Sequence, residues 1–251
     1  MTDWVQVSKA DGIVNVHLNR PEKKNALTQD MYAEMTRALR EADADTKGTA
    51  AVVFSGEGNV FCSGNDLADF LRHGDLTQDS PVFQFLDTIS SVTVPVVAKV
   101  QGPAVGIGTT LLLHCDLVYA AEEAVFVMPF VDMGLVPEAG SSQLLPLLCG
   151  HVKASELLLL GETIDAQKAE KFNIVNKVVS SNELDDVVAK ISASLASKPR
   201  ESLRLSKKLL KAPMETVQER IQTELKDFLR VLASEDTQKI IAAKAQRKSK
   251  S

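Results

Sequence analysis

Two stretches near the amino end, Trp4–Lys9 and Ile13–Asn19, alternate apolar and polar residues, and Asp11-Gly12 stands between them. A period of two puts every second side chain on one face, so the pattern predicts a β-hairpin closed by a two-residue turn. Beyond a polar loop, Arg20–Asn25, the period changes. Met31, Met35, Ala38, Leu39 and Ala42 recur at helical spacing behind Thr28, a residue type that caps helices, which predicts a helix running to about Ala44. Thr49–Ser55 and Val94–Val100 are short apolar runs, partly β-branched, the pattern of strands covered on both faces. Asp116–Ala121 reads the same way, and Ile174–Val179 reads as a last strand. Helices are expected at Val82–Ser91, Thr109–His114 and Ser141–Leu148, and after the capping residue Asp165. From Glu183 onward only helices are predicted, at about 183–197, 199–211, 213–233 and 235–248, divided by Pro199, Pro213 and Ser234-Glu235-Asp236. The expected organisation is an α/β core over 1–182 followed by an all-helical region over 183–251.

Composition narrows the class. The 251 residues are 45% hydrophobic, too apolar for a disordered chain and ample for a core. Net charge is −5, which argues against nucleic acid or a membrane surface as partner. The last thirteen residues, 239–251, are nevertheless basic without a single acid. Cys62, Cys115 and Cys149 are widely spaced, with neither a CxxC nor a zinc pattern, so a reducing compartment is expected and no metal site. No basic start leads into an apolar stretch, and no apolar run is long enough to span a bilayer. The closing Ser-Lys-Ser differs from the Ser-Lys-Leu peroxisomal address, which leaves the cytoplasm as the expected location.

Several familiar spellings fall away. Gly102-x3-Gly106-x-Gly108 lacks the third glycine spacing and the downstream acid of a dinucleotide loop, and there is no P-loop and no GxSxG elbow. In His114-Cys115-Asp116 the neighbours point in different directions, so a satisfied buried histidine and a core cysteine are expected rather than a triad.

Three segments carry candidate chemistry. Phe61–Leu67 and Gln101–Gly108 leave consecutive predicted strands as small-residue turns that can bring bare backbone N–H groups close to a ligand. The second runs into a predicted helix, whose dipole would strengthen its N–H groups. Two converging N–H donors are what an enolate oxygen needs. In Gly134–Ser142, Glu138 lies among Leu135, Val136, Pro137 and Ala139, where desolvation would raise its pKa toward that of a working general base. Read from the residues alone, Glu138 could equally be a carboxylate at a helix start, and Asp66 either an Asx-turn residue or a ligand contact.

These segments resemble the crotonase family, the enoyl-CoA hydratases and isomerases. The resemblance rests on Arg20-Pro21-Glu22-Lys23-Lys24-Asn25-Ala26-Leu27, Ser63-Gly64-Asn65-Asp66-Leu67, Gln101–Gly106 and Gly161–Val179, in the family's order. It implies a spiral of strand–strand–helix units with C-terminal helices, assembled as a homotrimer or a pair of trimers. It implies an acyl-CoA thioester as substrate, with no cofactor beyond the CoA that the substrate carries. By position, the backbone N–H groups of Asn65 and Ile107 form the oxyanion hole. Lys24, Ala26, Leu27, Ser63, Gly64, Asn65, Asp66, Leu67 and Gly106 line the CoA and thioester site. Phe70, Phe130 and Leu135 are candidates for the acyl pocket. The two glutamates typical of hydratases are replaced here by Thr110 and Phe130, whereas Glu138 resembles the single catalytic glutamate of the peroxisomal-type Δ3,Δ2-enoyl-CoA isomerases. The expected activity is therefore transfer of a double bond from 3-enoyl-CoA to trans-2-enoyl-CoA in fatty acid β-oxidation. Another crotonase enzyme, such as a hydratase or hydrolase, and a non-catalytic acyl-CoA-binding module are the alternatives. CoA phosphates need only a local basic cluster, for which Lys23, Lys24, the Lys207-Lys208-Lys211 group and the basic tail are candidates.

Overall fold

The computed structural model describes residues 3–72 and 76–248, with the side chains of Phe70 and of 242–248 outside the description. At the amino end β1 (Val5–Ala10) pairs antiparallel with β2 (Ile13–Leu18). Asp11 and Gly12 both take positive φ, 51° and 78°, the backbone twist that a two-residue turn needs between right-twisted strands. Thr28 then caps α1 (Gln29–Ala44) by accepting a hydrogen bond from the Met31 N–H, and the apolar positions read from the sequence are all buried.

From α1 the chain returns as β3 (Ala51–Gly56), parallel to β2, with all six residues buried. β4 (Val96–Val100), β6 (Leu117–Ala121) and β9 (Lys177–Val179) extend the sheet in the order β1-β2-β3-β4-β6-β9, parallel beyond the hairpin. A parallel sheet must be covered twice. On one face Val16, Phe54, Ala98 and Val118 pack with Met35 and Leu39 of α1 and Phe85 and Ile89 of α3 (Pro81–Ser91). On the other, Val53, Val97 and Tyr119 pack with Leu184, Val188 and Leu195 of α8 (Leu184–Ala196).

A second, smaller sheet creates the site. β5 (Ala104–Val105) pairs with β7 (Val125–Val127), and β7 with β8 (Ile164–Asp165). Single bridges, Cys62 to Ala104 and Leu27 to Asn65, carry the same layer toward the amino end. After each long strand the chain thus adds a short rung to this layer before turning into a helix. The helices are α2 (Leu67–Arg72) and α3, then α4 (Ile107–Thr110), then α5 (Ser141–Cys149) and α6 (His151–Leu159). α7 (Ala166–Lys171), capped by the Asp165 carboxylate, leads into β9. This is a mixed α/β spiral of strand–strand–helix units.

The carboxyl end is helical: α8, α9 (Arg200–Leu210), α10 (Val217–Leu232) and α11 (Glu235–Lys248). α9 is anchored by buried cations. Arg204 donates to the Asp43 carboxylate and to Thr93 Oγ1, at 2.8 and 2.9 Å, and Lys207 to the Val94 carbonyl and the Asp116 carboxylate, both at 2.7 Å.

Five elements, α2, α6, β5, β7 and β8, fall outside the predicted pattern, all too short or too evenly apolar to show a period. β4 starts at Val96 rather than Val94, beyond Pro95, which has no N–H to give a ladder. α4 begins at Ile107 rather than Thr109. Of 174–179 only Lys177–Val179 is strand, Ile174 and Val175 being core side chains in the approach. α10 starts at Val217 rather than 213 because Thr216 and Glu219 form a reciprocal capping box.

Candidate active site

Residues 61–66 leave β3 and run beside the 24–27 loop. Ser63 N–H donates to the Lys24 carbonyl at 3.0 Å, Leu27 N–H to Gly64 at 2.8 Å, and Asp66 N–H to Leu27 at 2.8 Å. Asn25, fully buried, clips the loop from below: its Nδ2 donates to the Val60 carbonyl at 2.7 Å and its Oδ1 accepts from Arg20 N–H at 2.9 Å. Gly64 sits at φ 96°, and a Cβ there would meet the Val105 carbonyl at 3.1 Å. With these donors spent, the Asn65 N–H has no acceptor among the described residues.

The second turn is pressed against the first. Val105 N–H donates to the Cys62 carbonyl at 2.9 Å and Gly106 N–H to the Val127 carbonyl at 2.9 Å. A Cβ on Gly108 would lie 2.5 Å from the Cys62 carbonyl oxygen, so only glycine allows this approach. Thr109 and Thr110 N–H groups both return to the Gly106 carbonyl, which leaves the Ile107 N–H without an acceptor among the described residues. Because α4 is one α-turn followed by a 3-10 turn, Leu111–His114, these donors act as individual N–H groups more than through a helix dipole.

Glu138 comes to the same place from the 134–140 loop. Its Oε1 accepts a hydrogen bond from Thr110 Oγ1. Thr110 is three residues beyond Ile107, about 4.5 Å along a helix. Glu138 is thus tied to the residue one turn along α4 from Ile107, whose N–H is free. Burial raises its pKa above the ordinary value, and the Thr110 bond opposes that rise. The loop is held by Ser141 Oγ, which donates to the Glu138 carbonyl at 2.6 Å, and by His114 Nε2, which donates to the Ala139 carbonyl at 2.8 Å. Burial lowers the His114 pKa, which favours the neutral ring. Gly140, not Glu138, occupies the cap of α5, so a simple helix-start role for Glu138 falls away.

Tyr32, on the buried face of α1, donates its O–H to Asn65 Oδ1 at 2.5 Å. Its helical spacing with Met31, Met35 and Leu39 marks it in the sequence as core. The available signal was a phenol on a helix face otherwise filled by Met31, Met35 and Leu39, where a hydroxyl needs a partner.

The other expected residues divide. Lys24 is exposed at the rim, Ala26 and Ser63 are half-buried, and the Leu27 side chain is core. Leu67 is exposed, and Leu135 is half-exposed on the loop leading to Glu138. Phe130 is a core side chain, and that of Phe70 lies outside the described residues. Asp66 is a correction. One oxygen accepts from Arg20 at 2.8 Å and the other from the Asp69 N–H at 3.0 Å, and these bonds hold its pKa below the ordinary value. Its carboxylate ties the loop and caps α2. Of the lysines proposed for phosphates, Lys207 is a correction, since it is buried in its ion pair with Asp116, while Lys211 is exposed and donates to the His114 carbonyl at 2.9 Å. Among the described residues no group of three or more His, Cys, Asp or Glu could hold a metal ion, and no helix is long and apolar enough to cross a membrane.

Free N–H groups on two abutting turns, with one pKa-raised carboxylate a helical turn away, define an acid–base site of the kind that serves carbonyl chemistry. Comparison with known proteins gives the family. A profile described as enoyl-CoA hydratase/isomerase matches residues 8–250. The chain is 36% identical to rat (Rattus norvegicus) enoyl-CoA delta isomerase 2 over 213 residues, 82% of this chain and 54% of that protein. It is 32% identical to the 1,2-epoxyphenylacetyl-CoA isomerase of Escherichia coli (strain K12) over 219 residues, 84% of this chain and 82% of that protein. A solved structure from Magnetospirillum magneticum AMB-1, a candidate enoyl-CoA hydratase/carnithine racemase, superposes with a TM-score of 0.94 at 39% identity and covers 98% of this chain and 97% of that one. The chain belongs to the enoyl-CoA hydratase/isomerase family. It spans about half the length of the rat relative.

Proposed function

We propose that the protein is a Δ3,Δ2-enoyl-CoA isomerase acting in fatty acid β-oxidation. The observation that carries this reading is Glu138 itself, a single carboxylate with a raised pKa, held by Thr110, one turn along α4 from Ile107. Hydration needs water activated and a proton delivered, which suits two carboxylates. At the two positions where hydratases resembling this chain carry them stand Thr110, which holds Glu138, and Phe130, which is core. A double-bond shift needs only one base that first takes and then returns a proton.

In the proposed cycle Glu138 removes a proton from C2 of a 3-enoyl-CoA. The negative charge moves to the thioester oxygen, which accepts hydrogen bonds from the Asn65 and Ile107 N–H groups. The protonated Glu138 then returns the proton to C4, and the double bond rests between C2 and C3. The shuttle is redox-neutral and asks for no cofactor beyond the CoA of the substrate. The CoA handle would lie along 24–27 and 63–67, with the exposed Lys23 and Lys24 near its phosphates. α10 exposes Val217, Ile221, Leu225, Phe228 and Leu229 along one helical stripe, an apolar face that self-association would cover; the proposed assembly is a homotrimer or a pair of trimers, and sedimentation at any other size would overturn it.

The test is to offer the purified protein 3-enoyl-CoA and 2-enoyl-CoA separately. Conversion of the first with no hydration of the second is expected. Hydration of 2-enoyl-CoA, or binding of both without turnover, would overturn the reading.

A further inference from the structure

The Tyr32 ring is ordinary core, fully buried with its centroid 5.5 Å from that of Phe85. Its hydroxyl is not explained by packing. A buried unpaired O–H is costly, so it requires a partner, and the partner is the side chain of Asn65, the residue whose backbone N–H is free. Burial, then the neighbouring Cys62 and Glu138, hold the phenol far above its ordinary pKa, so it stays a donor. With Oδ1 engaged, the Asn65 carboxamide keeps two N–H donors on Nδ2 that meet no acceptor among the described residues. The backbone bonds of Gly64 and Asp66 hold the residues on either side of Asn65; the Tyr32 bond is made to Asn65 itself.

We propose that Tyr32 is a positioning residue for the enolate-stabilising turn, its O–H fixing the Asn65 carboxamide and with it the direction of the Asn65 donors toward the bound thioester oxygen. This rests on the oxyanion reading above but not on whether the reaction is isomerisation or hydration. Tyr32→Phe removes only the oxygen and keeps the ring. A saturated acyl-CoA, which can neither isomerise nor add water, reports on the turn through the infrared band of its thioester carbonyl, shifted down when the oxygen is well hydrogen-bonded. In Y32F that downshift should shrink, and kcat should fall about 10–100-fold with KM nearly unchanged, since small misplacement of catalytic donors costs rate more than binding. N65A, which keeps the backbone N–H, should do the same, and the double variant should be no worse than N65A alone. A role in packing alone would lower the melting temperature and leave the carbonyl band in place. A wild-type band and kcat in Y32F, or losses that multiply in the double variant, would overturn the inference. Hydration by the wild-type protein would sink the isomerase proposal while the carbonyl band still judged Tyr32. A wild-type protein that left the bound carbonyl unshifted would remove the oxyanion reading and this inference together.

Discussion

Two polar clusters lie on opposite sides of the main sheet, and the one that looks more catalytic on paper is the poorer site. On the α8 side His17 is hydrogen-bonded to Ser55 Oγ at 2.9 Å through Nδ1 and to Glu57 at 3.0 Å through Nε2, the spelling of a serine–histidine–acid triad. Ser55 even borders a cavity of about 350 Å3. Yet it sits inside β3, opposite His17 in the parallel ladder, where strand N–H groups serve sheet pairing rather than a developing oxyanion. The Glu138 cluster has neither serine nor histidine in a reactive role. It has two turns that cannot satisfy their own N–H groups. Unspent donors, more than reactive side chains, distinguish the two regions.

The contrast can be broken most forcefully at Glu138. Glu138→Gln keeps the shape and removes the base, so kcat should fall by about 10²–10⁴ while acyl-CoA binding, measured by titration, persists. Retained turnover would show that the chemistry lies elsewhere. Next comes the contact between the two turns. Gly108→Ala places a Cβ 2.5 Å from the Cys62 carbonyl, which should cost about 1–3 kcal/mol in denaturant unfolding and, by moving the donors apart, about 10² in rate. A smaller effect sharpens the comparison through pH. Glu138 must be ionised to act as a base, so activity should fall on the acid side, along a limb shifted upward from that of an ordinary glutamate. Thr110→Val removes the hydrogen bond that favours the ionised form, so that limb should move to higher pH. An unmoved limb would separate the titrating base from Glu138. Smallest of all, Ser55→Ala should leave acyl-CoA turnover as it was, and a large loss would elevate the outer cluster.

The periodic elements are legible in the sequence. The hairpin turn at Asp11-Gly12, the capped helix behind Thr28 and the capping residue Asp165 follow from local chemistry, and the structure holds them where the residues say. The short rungs β5, β7 and β8 were not legible, because two or three residues carry no period; they exist only because a neighbouring turn of the spiral offers them a partner. The candidate site divides the same way. Glycines at 64, 106 and 108 announced turns that can approach a ligand closely, and Glu138 announced itself as a carboxylate among apolar residues. Which polar groups are already spent is a different kind of fact. Asp66 and Lys207 looked available in the sequence and are consumed by Arg20, the Asp69 N–H, Asp116 and the Val94 carbonyl. Tyr32 looked like core and reaches Asn65, thirty-three positions away in sequence. Local sequence sets the dihedral preferences and the apolar pattern, and with them the elements. Only tertiary structure sets the partners, because a hydrogen bond is a matter of distance and angle between groups that the chain order keeps apart.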